Sequence, residues 1–442
     1  MAEHSLPASD KDFALAVWRW GLWGAPLWWV LGLNLVIYHL LSFTLLFIVI
    51  SRAERKGETV HFEGAGLYLI ALTGVYMFSI LLHFASSDMS RLLAGTYNLS
   101  FWVMGTSLIL TLSNRFSLNQ SGKFLQSFLP FTFVTGILAI LCFFLPFLGF
   151  SSVIFETPLY KLGDVLGRTV LVENSLLVNL LQLDWFVSVW RPRFNLYSPY
   201  PTAAGAVFLI ALVMLVTWAR MEKKTASPFV WFLVLPNLLG LFMTLSRISM
   251  LALGVSVTVI FFLQMQRAWI WIFLLLLGLI AALPLLDQWT TFLWGLREGS
   301  SVQRLELYQY SLQQLEGADW ILGLGLKPRE EAFRFPLGSH STYLSMLFKT
   351  GVVGLIIFLA FQLHLALRWY QLKNFLRRSS KEFFLWQGFG MVFFGMAVWM
   401  ITEDIDAPQL LAYLYFSIIG VFEGFHREVR LCNPSILPQR RN

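Results

Sequence analysis

Charge is scarce in this chain. Only 13% of its 442 residues are charged while 57% are hydrophobic, and mean hydropathy is +0.66. A soluble protein of this length needs far more charged surface, so that class is excluded. Alternating apolar and polar strands of about ten residues are missing, which excludes an outer-membrane barrel. Cysteine is nearly absent: Cys142 sits in an apolar run and Cys432 in the tail, so neither a disulfide framework nor a metal cluster is indicated. The opening MAEHSLPASDKD lacks the basic region and small-residue cleavage site of a signal peptide. There is no internal repeat and no low-complexity tract. HExxH, CxxC, GxSxG and DxD patterns are missing from the long polar segments, where Glu306, Asp319, Glu330 and Glu331 lack metal spacing; Glu403, Asp404 and Asp406 form an acidic group with no other support. Nothing in the residues requires a metal or a cofactor.

What the chain does have is apolar runs of about 20 residues, matched to the roughly 30 Å hydrocarbon core of a bilayer. They read as an all-α polytopic membrane protein, a single transmembrane domain over 1–442 with eleven or twelve spans. Candidate spans lie near 65–83, 94–112, 124–149, 203–219, 228–245, 248–264, 268–286, 350–367, 383–402 and 409–425. The first stretch, 13–50, is broken near Gly24-Ala25-Pro26, and is either one long helix with an interfacial prelude or two tight spans.

The net charge of +7 is scattered over short connections, which points to topology rather than nucleic acid. Connections 51–64, 113–123, 220–227, 265–267 and 368–382 and the tail after 425 are basic and fall on one side, the cytoplasm. Opposite, 84–93 has only Arg91 and 403–408 has no cation. The two long segments, 150–202 and 287–349, therefore face outward, and segments of that length usually carry function. In the first, KLGDVLGRTVLVENSLLVNLLQLDWFVSVWRPRF has leucines and valines at mixed helical spacing and reads as a helix along the interface. In the second, RLELYQYSLQQL forms a helix with Leu305, Tyr308, Leu312 and Leu315 on one face and Arg304, Gln309 and Gln313 elsewhere, ended by Gly317.

Arg247, in MTLSRISMLAL, sits where two apolar runs abut. A charge at membrane depth costs about 2.5–3.5 kcal/mol near the centre and less at the edge. It either snorkels or pairs within the bundle, or it faces a polar cavity and holds an anion, for which a forked guanidinium is suited. Arg304 reads as a solvated surface charge or as a second anion ligand. Arg191 and Arg193 close the first outer segment beside Trp190, as interface anchors or substrate contacts. Tyr197 and Tyr200 either touch sugar or mark the aromatic belt. His340, in GSHSTYLSML, begins a helix whose Tyr343, Leu344 and Leu347 form one face, with Ser339 or Ser341 as N-cap. A helix N-terminus disfavours the imidazolium, leaving the neutral ring that a general base needs. A lone histidine is more often structural than catalytic, but the other six lie in spans, span ends, loops or termini without a comparable setting. The GLGLK at 323–327 reads as a turn rather than a phosphate loop.

The order of MTLSRISM, VQRLELYQYSLQQL followed by WILGLGL, and SHSTYLSMLFKTGVVGLIIFLA resembles the O-antigen ligase and polymerase superfamily over roughly 190–370. FNLYSPYPTAAG is similar to the segment these proteins carry ahead of a central span. The resemblance implies a multispan C-type glycosyltransferase of the bacterial inner membrane, active on the periplasmic face. Such enzymes move a glycan from undecaprenyl diphosphate to an acceptor: a lipid A–core sugar in the ligases, another undecaprenyl-linked repeat in the polymerases. It implies inversion at the anomeric centre without a metal, with Arg247 and Arg304 binding the diphosphate and His340 deprotonating or orienting the acceptor hydroxyl. Arg191 and Arg193 match loosely; Tyr197 and Tyr343 are candidate substrate contacts. The compact second segment and the lack of an appended carboxy-terminal module favour the ligase. A lipid-linked glycan transporter would carry inverted repeats and interrupted helices, and an assembly subunit would leave His340 replaceable.

Overall fold

The computed structural model of the protein describes residues 8–57, 59–62, 64–85, 87–115, 118–161, 163–164, 170–183, 192–264, 298–333, 335–377 and 380–432. In chain order its α-helices are α1 Ala8–Trp23, α2 Ala25–Leu31, α3 Ile37–Lys56, α4 Ala65–Leu82, α5 Met89–Arg115, α6 Ser121–Gln126, α7 Phe128–Phe144 and α8 Val170–Leu176. They continue as α9 Pro201–Met221, α10 Pro228–Met243, α11 Arg247–Gln264, α12 Glu298–Gln313, α13 Asp319–Leu322, α14 Thr342–Leu372, α15 Lys381–Trp399 and α16 Gln409–Cys432. Among the described residues, six stretches are long and apolar enough to cross a membrane: α3, α4, the run Ser121–Leu148 containing α6 and α7, α9, α14 and α15. With the shorter apolar helices α10 and α11, they make an all-α polytopic membrane protein. The expected span at 268–286 lies outside the described residues.

The broken first stretch becomes α1, α2, a 3-10 turn at Leu33–Leu35, and α3. Pro26 opens α2, where a missing N–H costs nothing, and Gly32 closes it at φ 76. Helix α9 is apolar nearly all round and buried nearly all round, the pattern of a central helix. Buried faces of α5, α15 and α16 join it in one core. Trp369 of α14 and Trp386 of α15 stack at 4.5 Å, and each indole N–H donates to the other's backbone carbonyl at 2.8 Å.

Between α7 and α9 the chain departs from the expected interfacial helix. Among its described residues a helix covers Val170–Leu176, and strands β1 Val153–Glu156, β2 Leu177–Leu183 and β3 Pro192–Phe194 form an antiparallel sheet in the order β1-β2-β3. A short apolar run such as LVNLLQL fits either period. Partners distant in sequence decide it: Phe155 pairs with Val178, and Leu181 with Phe194.

Helix α14 is two helices joined at Gly351, whose φ of 64 and ψ of −168 break the ladder. The extended segment after α13 enters that break. Leu324 N–H donates to Phe348 O and Gly325 N–H to Lys349 O, both at 2.9 Å. A Cβ on Gly323 would lie 2.3 Å from Lys349 backbone, one on Gly351 2.1 Å from Ile321 O, and one on Gly325 2.6 Å from the backbone of α4. The glycines of GLGL thus allow a strand to pass between α4 and α14. Irregular backbone at this depth is tolerable because protein satisfies its polar groups.

Candidate active site at the turn before the last helix

The turn between α15 and α16 carries Glu403, Asp404 and Asp406, all nearly buried. A buried carboxylate needs a partner, and each of these has a cation. Arg304 of α12 donates from Nη2 to Glu403 Oε1 at 2.9 Å and from Nη1 to Thr402 O at 3.3 Å. Lys327, next after the GLGL strand, reaches Asp404 Oδ2 at 2.8 Å. Lys349 of α14, fully buried, pairs with Asp406, which also accepts Trp102 Nε1–H at 3.2 Å. One four-residue turn therefore gathers three cations from three different segments.

The start of α14 docks on the same turn. Thr342 N–H donates to Met400 O at 2.9 Å and Glu403 O at 3.0 Å; its hydroxyl donates to Glu403 O at 2.7 Å and accepts Ile405 N–H at 3.0 Å. Ser341, one of the two expected caps, accepts Leu344 N–H at 3.3 Å.

His340 precedes that cap with φ 67, a left-handed backbone that side-chain-bearing residues adopt at a cost. Three contacts hold it there: its N–H donates to Asp404 Oδ2 at 3.1 Å, its carbonyl accepts the Tyr308 hydroxyl, and its ring meets the Phe335 edge at 4.3 Å. The residue is half-buried, but ring atom Nε2 is shielded from solvent and finds no partner among the described residues. Burial, then the charges of Arg304 and Lys327, hold the imidazole well below its ordinary range. The ring is neutral, as expected, with burial rather than the helix terminus as the main cause.

Arg304 remains charged: burial opposes the charge, but Glu403 and Tyr308 outweigh it. Glu403 is pushed up by burial, with Arg304 pulling the other way. Asp406 is lowered despite its burial, because Lys349 and Lys327 stand beside it. Helix α12 and the turn after it bury only part of the expected face, Leu315 with Tyr308 half-buried. Leu305 and Leu312 are exposed, while Leu307, Ser311 and Leu315 are buried. Polar contacts set the orientation: Arg304 to Glu403, Tyr308 to His340, and Ser311 Oγ accepting Gly338 N–H at 2.8 Å.

Arg247 is the exposed first residue of α11, one position after Ser246, whose Oγ accepts Ser249 N–H at 3.3 Å. Ser249 Oγ donates to Thr202 O at 3.1 Å, and the Thr202 side chain stands beside Glu403. The start of α11 is thus linked to the acidic turn through two side chains. Arg193 is buried, donating from Nε to Thr244 O at 2.9 Å just ahead of Arg247. Tyr197 lies in the core against Trp29 and Phe131. Tyr343 is half-buried, its hydroxyl donating to Ala397 O at 3.2 Å. Arg191 lies outside the described residues.

Sequence reasoning gave Lys327 and Lys349 no pairing and missed the organising role of the turn. The available signal was three acids within four residues beside a lysine in an apolar run: isolated charges in a membrane protein need partners. Residues 229–359 match the family described as O-antigen ligase. That range holds Arg247, Arg304, Lys327, His340 and Lys349, but not the acidic turn. No curated protein matches the chain.

Proposed function

We propose that the chain is a member of the O-antigen ligase and polymerase superfamily, as the match over 229–359 supports, and that it is the ligase: it transfers a glycan from undecaprenyl diphosphate to lipid A–core at the periplasmic face of the bacterial inner membrane. The segments 150–202 and 287–349 lie on that face of one transmembrane domain, and the second supplies the chemistry. In the reaction the acceptor hydroxyl attacks the anomeric carbon, the carbon–oxygen bond to the diphosphate breaks, and the configuration inverts. His340 Nε2 takes the hydroxyl proton, and the diphosphate departs with the bonding electrons.

The observation that carries this reading is a neutral histidine with an unpartnered, shielded Nε2 beside a fixed guanidinium. Arg304 is oriented by Glu403 and Thr402 and is 27% exposed, so it has an edge and N–H donors left for phosphate oxygens. Arg247, at a capped helix start, supplies a second guanidinium where the helix dipole also favours an anion. Donors fixed where charge accumulates on a leaving group are each worth about 3–4 kcal/mol in the transition state. Arg193 and Tyr197 support the loop under Arg247 and the adjoining core, and Tyr343 fixes the first turn of α14 beneath His340.

Reconstituted vesicles holding the protein, an undecaprenyl diphosphate-linked glycan and lipid A–core test this directly. Transfer to lipid A–core, abolished by Arg304→Ala with insertion intact, is the expected result. Longer undecaprenyl-linked products with lipid A–core untouched would make the protein a polymerase, and no transfer to either acceptor would remove the enzymatic reading.

A further inference from the structure

Asp404 uses only half of its carboxylate. Oδ2 is engaged twice, by Lys327 Nζ at 2.8 Å and by His340 N–H at 3.1 Å. Oδ1 is buried and has no partner among the described residues, in a residue only 8% exposed. A buried carboxylate oxygen left without a donor carries an uncompensated desolvation cost, so a group of this kind is retained where something else supplies the hydrogen. The second orphan nearby is His340 Nε2, on the residue whose own N–H Asp404 holds. Two acceptors, one anionic and one neutral, are thus tied to one stretch of backbone.

Oδ1 accepts hydrogen bonds, and Nε2 does so in the tautomer that carries its proton on Nδ1, the one a base requires; that chooses the ligand chemistry. Phosphate oxygens are acceptors themselves and would be repelled by Oδ1. A polyol supplies O–H donors, and neighbouring hydroxyls on a sugar ring lie close enough to meet two acceptors in one site. The construction around Asp404 preserves this division of labour. Lys327 follows directly on the strand that Gly323 and Gly325 let through between α4 and α14, and it reaches Oδ2 rather than Oδ1.

Building on the ligase or polymerase reading, we infer that Asp404 is an acceptor-binding residue: Oδ1 accepts a hydrogen bond from a hydroxyl of the acceptor sugar neighbouring the one that His340 Nε2 deprotonates. Lys327 is a positioning residue that keeps Oδ2 occupied. The acceptor is therefore a glycan whose reacting hydroxyl has a free hydroxyl beside it.

The experiment uses the full chain in nanodiscs, a polyprenyl diphosphate-linked monosaccharide as donor, and alkyl glycosides with their monodeoxy analogues as acceptors. In the wild type, removing the neighbouring hydroxyl should raise the acceptor KM about tenfold, the effect of one charge-assisted hydrogen bond. Asp404→Asn should raise the acceptor KM by a similar factor, leave the donor KM unchanged, and show no further penalty with the deoxy acceptor. A purely structural Asp404 would instead lower kcat or move both KM values, with the deoxy penalty the same in variant and wild type; that result overturns the inference. A wild type indifferent to every monodeoxy acceptor also overturns it, with no variant needed. A wild type that transfers to no acceptor overturns the underlying reading as well, which separates the two failures.

Discussion

Replacing His340 by glycine, asparagine and alanine separates its backbone from its ring. At φ 67 a residue with a Cβ gives up roughly 1–2 kcal/mol relative to glycine. Glycine relieves that strain, but it adds about 0.5–1 kcal/mol of unfolded-state entropy and forfeits the ring contact with Phe335, worth about 0.5–1.5 kcal/mol. The His340→Gly protein should therefore unfold within about 1 kcal/mol of the wild type. His340→Ala keeps the strain and loses the same contact, so it should be less stable than His340→Gly by about 1 kcal/mol. Asparagine, which tolerates the left-handed region, should fall between them. Activity should ignore this ranking: all three lack a base and should lose about 10²–10⁴-fold in transfer. Denaturation in mixed micelles and single-turnover transfer in vesicles give the two readouts. Alanine as stable as glycine would show that the backbone is not strained, and any of the three retaining transfer within a few-fold would show that the ring is not the base.

Other consequences follow from the same contacts. Lys349→Met or Asp406→Asn alone should cost about 3–5 kcal/mol, because each leaves a buried partner uncompensated, while the double variant should recover most of that loss; a micelle unfolding cycle with additive losses would deny the coupling. Gly351→Ala should sharply reduce folded yield, since its Cβ would lie 2.1 Å from Ile321 O at a φ of 64, and limited proteolysis near 320–327 would report the expelled strand. His340 also gives stability a pH dependence. Its folded pKa is depressed from the ordinary 6.5, so the unfolded chain binds the extra proton first and stability rises with pH through that window. Its contribution is complete above 6.5 and declines as pH falls from there toward the folded value, and His340→Asn should flatten that slope in unfolding titrations.

Much of the site was legible because charge is rare in this chain. Arg247 stood out at a junction between apolar runs, and Ser339 and Ser341 marked a helix start beside His340. Arg304 stood out only as a charge on a helix whose buried face was misjudged. Apolar spacing favoured Leu305 and Leu312, whereas hydrogen bonds donated by Arg304 and Tyr308 to residues 402–403 and 340, and one that Ser311 accepts from Gly338 N–H, turned the helix another way. The pairings of Arg304, Lys327 and Lys349 join residues 57 to 99 positions apart, and no local pattern encodes such distances. Lys349 was hidden at the boundary between the outer segment 287–349 and the span that begins at 350. The β1–β2–β3 sheet was illegible for a related reason: its strands are short, and pairing partners outside the local window settle what they become.

Pairing cations with carboxylates one for one solves one problem and sets another. Arg304, Lys327 and Lys349 are tolerable near the bilayer because Glu403, Asp404 and Asp406 neutralise them before any substrate arrives. The same neutralisation weakens the attraction of the site for a diphosphate, so the carboxylates exchange affinity for orientation. Glu403→Gln tests that exchange. It keeps an acceptor for Arg304 but removes the opposing charge, so the donor should bind several-fold more tightly, and the effect should shrink at high salt. Transfer from the bound complex should slow, because a neutral amide holds the guanidinium less firmly than the 2.9 Å ion pair does. Donor KM and kcat should therefore fall together. A Glu403→Gln protein with weaker donor binding would mean that Arg304 serves the turn and not the substrate.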